Sequence, residues 1–365
     1  MKTNYKIALF LVIALLMGFK AATADEIAFE NGTFNEVLAK AKQQNKIVMI
    51  DFITDWCIWC KHIDMRVYNN KKVVRYAEEH QINWKTDAEK EGKDLAKKYG
   101  VTGYPTLVFV DSDGNEIDKI VGFFPAPEFL ENIKKINERR STLAYFQNYY
   151  NNNKTDLKAN MELATKLVEQ DKADDAKQYL NYIIAQDPSN SSGYTDDAEF
   201  TLAMMNVKDK TPEAYINDIN ALLVKYPKSN LQKDAKIFLA DKYTEAKNDE
   251  DAFKTYKSLI KKYPKDDMVR FYMGQYYLAK ARKINSDTLA TTADYKEAIK
   301  NINKSIPYFK GGIFEASSYN VMADVYYKLG DMKKARKSID KALVLWSDNK
   351  TYNKTKDKVY GAGNK

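Results

Sequence analysis

Apolar positions follow two different patterns along the chain. Up to about residue 137, short apolar runs typical of buried strands alternate with segments in which apolar residues recur every three or four positions. From about residue 138 the strand pattern disappears, and helical spacing continues almost to the end. The chain is therefore predicted to fold as an α/β sandwich over 25–137 followed by an all-α region over 138–349. We expect the remaining residues, 350–365, to form a frayed tail.

The individual elements of the first region follow from these runs and from turn residues. Asp113-Gly114 is a hairpin signal between the last two apolar runs. The runs predict strands over 47–53, 82–85, 106–110 and 116–121. Helical spacing predicts helices over 33–46, from the cysteines onward, from about 73, over 92–99 and over 127–139.

The second region contains a repeat. Three pairs of alanines, the two members of each pair 12 residues apart, are Ala164/Ala176, Ala240/Ala252 and Ala323/Ala335. Large residues follow each alanine at fixed offsets, as stacked helical hairpins need where small residues let helices cross closely. This pattern resembles tetratricopeptide repeats, and about five hairpins can be counted. An unrelated helical bundle is the alternative.

The composition narrows the class of protein. Of the 365 residues 44% are hydrophobic and 30% are charged, which excludes a disordered chain and a membrane bundle. Lysines are interleaved with acidic residues, so the net charge of +8 does not indicate nucleic-acid binding. The chain has two histidines and two cysteines, and this small number argues against a metal site built from several histidine or cysteine ligands. We expect no metal, no cofactor and no nucleic-acid partner.

Residues 1–24 have the pattern of a secretory signal peptide. Lys2 and Lys6 precede an apolar stretch, and Ala22-Thr23-Ala24 is a cleavage signal that predicts a mature protein beginning at Asp25. The apolar stretch 7–19 has 13 residues, and spanning a bilayer takes about 20. An uncleaved anchor is the alternative, and we expect a periplasmic location, where disulfide chemistry is normal.

Both cysteines lie in one tetrad, Cys57-Ile58-Trp59-Cys60, directly after an apolar strand. We expect Cys57 at the exposed first turn of a helix, where the backbone amides lower the pKa of its thiol. Cys60 is expected to be more buried, within disulfide reach, and suited to resolving a mixed disulfide. An inert disulfide and half of an intermolecular metal site are the alternatives. Closing so short a loop adds little stability, which favours a redox use.

The residues around the tetrad resemble the thioredoxin superfamily. The run from Val48 to Lys61 matches the strand and active-site signature of that family, and 101–106 matches its loop with a cis-proline. The resemblance covers nearly all of 25–137. The Trp-Cys-x-Trp-Cys-Lys form is most similar to secreted thioredoxin-like domains related to the C-terminal domain of the thiol:disulfide interchange transmembrane reductase.

This resemblance implies roles for individual residues. It makes Cys57 the attacking thiol and Cys60 the resolving thiol, which together close a Cys57–Cys60 disulfide. Asp51 matches a buried carboxylate that accepts and returns a proton. The resemblance also implies a substrate-binding surface made of Trp56, Tyr104 and a cis Pro105.

Two positions depart from the family pattern. Ile58-Trp59 stands where the family has Gly-Pro, and Asn83 stands where the family often places a lysine near the buried acid. Lys85, two residues on, faces the same side of its strand. Because the redox potential depends on the stability of the thiolate and the disulfide, the direction of electron flow stays open.

These observations predict an exported thiol:disulfide oxidoreductase. It would reduce the disulfides of client proteins, draw electrons from a membrane or periplasmic thiol donor, and dock a protein partner on its helical repeats. A disulfide oxidase or isomerase is one alternative. The other is an envelope scaffold or adaptor whose thioredoxin-like domain is a recognition module.

Overall fold

A computed structural model describes residues 26–170, 172–205, 210–309 and 312–361. The predicted signal peptide, 1–24, lies outside these residues. The chain separates into two compact units. The first contains the described residues up to Ile53 and His62–Asn137, and the second contains Thr54–Lys61 and the described residues from Glu138 onward. We call Thr54–Lys61 the redox segment.

A four-stranded sheet forms the centre of the first unit, with the strand order β2-β1-β3-β4. Strand β2 is parallel to β1, whereas β3 is antiparallel to both β1 and β4. The strands are β1 (Ile47–Ile53), β2 (Gln81–Asp87), β3 (Thr106–Val110) and β4 (Glu116–Val121). The helices are α1 (Phe34–Gln44), α2 (Ile58–Arg66), α3 (Lys71–His80), α4 (Lys93–Lys98) and α5 (Ala126–Asn137). Helix α2 begins in the redox segment and ends in the first unit.

Strand β1 is buried on both faces of the sheet because helices cover each face. Val48, Ile50 and Phe52 share one apolar cluster with residues of α1 and α4. Met49 belongs to the opposite cluster, which includes residues of α3 and α5. The alternation follows from the two-residue period of a strand, and it confirms the predicted sandwich. The same alternation places Asp51 on the face of Met49.

The second unit is helical apart from its turns. Its described helices are α6 (Leu143–Asn152), α7 (Leu157–Glu169), α8 (Ala173–Gln186), α9 (Thr195–Met204), α10 (Pro212–Lys225), α11 (Gln232–Glu245), α12 (Asp249–Lys262), α13 (Asp267–Ser286), α14 (Thr292–Phe309), α15 (Ile313–Lys328), α16 (Met332–Leu345) and α17 (Lys350–Gly361). Consecutive helices pack against each other. All six alanines of the repeat are fully buried, as closely crossing helices require.

The prediction of a frayed tail over 350–365 is wrong for most of these residues. Lys350–Gly361 forms helix α17, which packs against α15 and α16. Its buried residues, Tyr352 and Val359, are seven positions apart and so lie on one face of the helix. These two apolar residues anchor the helix in a lysine-rich segment, and the ion pair of Lys358 with Asp324 on α15 adds to them. Residues 362–365 lie outside the described part of the chain.

Within the described ranges, no helix combines the length and the apolar character that crossing a membrane requires.

Candidate active site

The redox segment turns directly from strand β1 into helix α2. The backbone N–H of Cys57 donates to the carbonyl oxygen of Thr54 at 3.1 Å, which closes the turn. Cys57 and Cys60 form a disulfide with an S–S distance of 2.10 Å. The backbone N–H of Cys60 donates to Cys57 Sγ at 3.0 Å. An amide of the first helical turn is thus aimed at this sulfur, an arrangement that stabilises a thiolate in the reduced protein.

Both cysteines are buried, and each exposes 5% of its surface. The expectation that Cys57 is exposed and less buried than Cys60 is therefore wrong. Ile58 and Trp59, the residues between the cysteines, pack against an apolar cluster of the second unit built mainly from α13–α16, which covers this end of the helix. Trp56, by contrast, exposes 61% of its surface.

Asp51 lies in the first unit at the centre of a group of charged and hydroxyl side chains. It exposes only 2% of its surface. The hydroxyl of Tyr68 donates to Asp51 Oδ2 at 3.1 Å, and Lys85 Nζ lies 3.4 Å from the same oxygen. Lys85 also pairs with Asp64 Oδ1 at 2.5 Å. We call Asp51, Asp64, Tyr68 and Lys85 the acid cluster.

Burial controls the electrostatics of the acid cluster. It raises the pKa of Asp51 to about 6, against the opposing effects of Lys85 and the Tyr68 hydroxyl and with a smaller contribution from Asp64. Burial also lowers the pKa of Lys85, but the two carboxylates outweigh it and hold that pKa above its usual value. A carboxyl group with a pKa near 6 can take up and release a proton close to neutral pH.

Lys85 takes the place of the lysine that the family pattern has at the position of Asn83, and it supplies the cation beside Asp51. The β1–β2 register sets Asp51 opposite Lys85, so the lysine ammonium reaches the acid across one strand spacing. Asn83 instead accepts a hydrogen bond from the Gln81 side chain at 2.7 Å. The departure from the family pattern at Asn83 therefore leaves the buried carboxylate paired with a cation.

Sequence reasoning missed Asp64 and Tyr68. The sequence did contain a signal for Asp64. It follows Cys60 by four positions on a helix, and this spacing places both side chains on the same face. Tyr68 had none, since it lies beyond the end of α2 and reaches Asp51 only through the folding of the chain.

Tyr104 and Pro105, predicted to bind substrate, lie in the first unit just before β3. The peptide bond between them is cis. Pro105 is buried, and its carbonyl oxygen accepts a hydrogen bond from the backbone N–H of Gly122 at 2.9 Å. The hydroxyl of Thr106 donates to the Gly103 carbonyl oxygen at 2.8 Å. These bonds fix the loop that leads into β3.

No cluster of three or more histidine, cysteine, aspartate or glutamate residues that could hold a metal ion occurs in the described part of the chain.

Two families match separate parts of the chain. Residues 34–137 match the thioredoxin-like domain family, and residues 239–266 match the tetratricopeptide repeat family. The matches confirm both resemblances seen in the sequence: the first region is a thioredoxin-like domain, and the second contains tetratricopeptide repeat structure.

The similar curated proteins include the thiol:disulfide interchange protein DsbD of Yersinia pestis. It is 37% identical over 102 residues, which cover 27% of this chain and 17% of that protein. DsbD of Vibrio vulnificus (strain CMCP6) is 33% identical over 104 residues, covering 27% and 18% respectively. The chain thus spans less than a fifth of the length of these relatives.

Similar solved structures exist for each region. The oxidised C-terminal domain of Neisseria meningitidis DsbD is 30% identical, covers 27% of this chain and 89% of that chain, and has a TM-score of 0.25. A candidate disulphide-isomerase from Bacteroides thetaiotaomicron is 41% identical, covers 32% and 96%, and has a TM-score of 0.30. YrrB, described as a TPR protein with an unusual peptide-binding site, is 14% identical, covers 58% and 97%, and has a TM-score of 0.38.

Proposed function

We propose that the chain is an exported thiol:disulfide oxidoreductase that reduces disulfides in client proteins. The observation that carries the proposal is the Cys57–Cys60 pair at the start of a helix, inside a domain of the thioredoxin-like family. The curated relatives of this domain are thiol:disulfide interchange proteins, which supports the same chemistry here.

The reaction proceeds by two thiol–disulfide exchanges. The thiolate of Cys57 attacks one sulfur of the client disulfide, forms a mixed disulfide and releases the first client thiolate. The thiolate of Cys60 then attacks Cys57 Sγ, releases the second client thiolate and closes the Cys57–Cys60 disulfide. The client gains two electrons and, on protonation, two protons, while the cysteine pair loses them. A thiol donor reverses the change in the pair and restores the dithiol.

Asp51 handles the proton of the second exchange. Cys60 must lose its proton before it attacks, and a carboxylate near its own pKa is a suitable acceptor. Burial and a pKa of about 6 support this role for Asp51, which lies six residues before Cys57 in the sequence. Lys85 and Tyr68 limit the rise in that pKa, which keeps a sufficient fraction of Asp51 ionised at neutral pH.

Trp56, Tyr104 and Pro105 hold the client chain. Trp56 directly precedes the attacking Cys57 in the sequence, and its exposed ring offers an apolar surface to the client. Tyr104 lies in the loop two residues before β3, where an extended client segment can pair with its backbone. The hydrogen bonds of the Pro105 loop support a fixed binding surface.

The helical repeats dock a protein partner. A cavity of about 1180 Å³ opens among α11–α14 and includes the rings of Phe253, Phe271 and Tyr276. Lysines and acidic residues line the same cavity. Aromatic anchors with charged neighbours of both signs are typical of protein interfaces, which supports this role.

The sequence supports export and a thiol electron donor. The pattern of residues 1–24 supports a cleaved leader and a periplasmic location. In that compartment a membrane or periplasmic thiol is the class of donor that returns the pair to its reduced form.

A Cys60→Ser variant tests the proposal. Without its resolving thiol, Cys57 should stay linked to clients, and disulfide-bonded adducts should appear on non-reducing gels and vanish with dithiothreitol. The wild-type chain should also speed the reduction of insulin by dithiothreitol, and Cys57→Ser should abolish this acceleration. Both effects are read in the intact protein.

A Cys57→Ser/Cys60→Ser double variant is the matched control and should give no adducts. Absence of adducts and of insulin reduction, with Cys57 of the Cys60→Ser variant still alkylated by iodoacetamide, would contradict the enzyme and favour the scaffold. Faster formation than reduction of a client disulfide would instead favour the oxidase.

A further inference from the structure

Trp59, the residue just before Cys60, is held by two phenylalanines of the second unit. Its ring centroid lies 4.5 Å from that of Phe271 on α13 and 4.9 Å from that of Phe314 on α15. The two phenylalanine rings are themselves 4.6 Å apart in an edge-to-face arrangement. The three rings therefore form one mutually contacting group, with geometry that aromatic pairs favour.

Further contacts hold the redox segment on either side of this group. Lys61 Nζ lies 3.7 Å from Asp348 Oδ2, and Asp55 pairs with Lys350. These ion pairs are largely exposed, and exposed pairs contribute little to stability. Ile58 packs against the same apolar cluster as Trp59. The apolar contacts of Ile58 and Trp59 therefore contribute more to holding the segment than these two ion pairs do.

We propose that Phe271 and Phe314 are positioning residues of the redox site, an aromatic clasp that holds Trp59 and keeps the Cys57–Cys60 disulfide covered. A thiol must reach a sulfur in line with the S–S bond to attack it. Each cysteine exposes only 5% of its surface. The clasp holds Trp59, the residue next to Cys60, so in this proposal opening of the clasp admits the attacking thiol. The clasp thus limits the rate at which the Cys57–Cys60 disulfide undergoes thiol exchange. That it also controls exchange with client proteins rests on the proposed function.

Reduction of the disulfide by dithiothreitol measures this opening directly. One thiolate of the reagent attacks a sulfur of the pair and breaks the Cys57–Cys60 bond. Its second thiol then displaces the protein and closes a cyclic disulfide. The reagent loses two electrons, and the two cysteines gain them with two protons. The assay starts from the oxidised form and needs no client.

Phe271→Ala removes one wall of the clasp from a half-buried position. We expect the full-length variant to be reduced about three- to tenfold faster than wild type, since losing one aromatic pair shifts an opening equilibrium by roughly that factor. The ratio should stay constant from pH 6 to pH 9, because only the reagent thiol titrates before attack. Trp59→Ala should accelerate reduction similarly, and adding Phe271→Ala to it should change nothing further.

Phe238→Ala is the matched control. Phe238 is a half-buried phenylalanine on α11 that packs on Tyr215 of α10. Equal rates in Phe271→Ala and wild type, or equal acceleration in Phe238→Ala, would overturn the clasp. So would additive effects of Trp59→Ala and Phe271→Ala. Circular dichroism and unfolding curves establish that each variant is folded.

The two proposals fail separately. A chain that never reduces insulin or traps a client can still show the accelerated attack by dithiothreitol, which would retain the clasp and reject the oxidoreductase. Normal insulin reduction with no effect of Phe271→Ala on the dithiothreitol rate would do the opposite.

Discussion

The carboxyl group of Asp51 ties the stability of the protein to pH. Its pKa is about 6 in the folded chain, above the ordinary value of 3.8, because burial disfavours the charged form. Between these values the folded state binds more protons than the unfolded state, so the free energy of unfolding falls as pH rises through this window. The group therefore destabilises the fold at neutral pH.

Asp51→Asn removes this titration. We expect the free energy of unfolding of the variant, relative to wild type, to increase by about 3 kcal/mol between pH 3.5 and pH 7.5. Urea unfolding curves at several pH values measure the change. Asp94→Asn, at an exposed position on α4, is the control and should follow wild type. A constant difference between Asp51→Asn and wild type across this range would show that Asp51 does not titrate as described.

Single side chains were predictable where the sequence itself brings them together. Cys57, Cys60 and Asp51 lie within ten residues, in a strand followed by a helix, and Asp51 is buried as its place in an apolar strand predicts. Lys85 was indicated by the side of its strand that it faces, but its pairing with Asp51 depends on the register of β1 and β2. Tyr68 reaches Asp51 only through the packing of the chain beyond α2, which no local pattern contains.

Helices α13 and α14 approach closely at a glycine. A methyl group added to Gly274 would lie 2.7 Å from Phe309 Cε1 and 3.1 Å from Tyr308 Cβ. Such a contact forces the aromatic ring or the helix to move. The glycine is thus required by the helix crossing, although it lowers the intrinsic helix propensity.

Gly274→Ala should therefore destabilise the protein. Helix propensity alone favours alanine by about 1 kcal/mol, but we expect overpacking to lower the net free energy of unfolding by about 1–3 kcal/mol. Thermal and urea unfolding test this value. Gly361→Ala is the control, because an added methyl there meets no atom within 4 Å. Stabilisation by Gly274→Ala would mean that α13 and α14 accommodate the added methyl group without a loss of packing free energy.

Elements with strong local patterns were predicted best. Strands β1, β3 and β4 have the predicted bounds, since apolar runs and a turn signal delimit them. Strand β2 is longer than predicted, because the polar residues Gln81, Thr86 and Asp87 are buried in the sheet. Helix α17 was missed because only two of its side chains are buried, and the rest of its sequence is that of an exposed, charged segment.

Helix α17 covers the hairpin formed by α15 and α16. In stacked repeats each element is stabilised by the neighbour that covers its apolar face. Tyr352 contacts Trp346 of the preceding connection, with ring centroids 5.6 Å apart. Val359 is fully buried in the same apolar cluster. Because each repeat is stabilised by its neighbours, weakening this end affects the array beyond it.

Val359→Ala should lower the free energy of unfolding by about 2 kcal/mol, from two buried methyl groups and the cavity they leave. Urea unfolding monitored by circular dichroism measures the loss. Lys356→Ala, an exposed position on the same helix, should leave stability nearly unchanged. Equal stability of Val359→Ala and wild type would show that α17 is not anchored by Val359 and would support the frayed tail expected from the sequence.

The division of the chain was predictable in part. The pattern changes near residue 137 because strands and repeated helices have different periods, and the first unit ends at Asn137. The membership of Thr54–Lys61 in the second unit was not predictable. It depends on contacts such as that of Trp59 with Phe314, between residues far apart in sequence, for which one sequence carries no signal.

Such distant contacts have a consequence for the order of events during synthesis. Chains emerge from the ribosome N-terminus first, and local structure forms before pairings of high sequence separation. Asp55 and its partner Lys350 are 295 residues apart. A nascent chain therefore presents both cysteines long before Phe271, Phe314 and Lys350 exist. We expect the newborn cysteine pair to pass through a period of open thiol exchange that ends only after synthesis has passed Lys350.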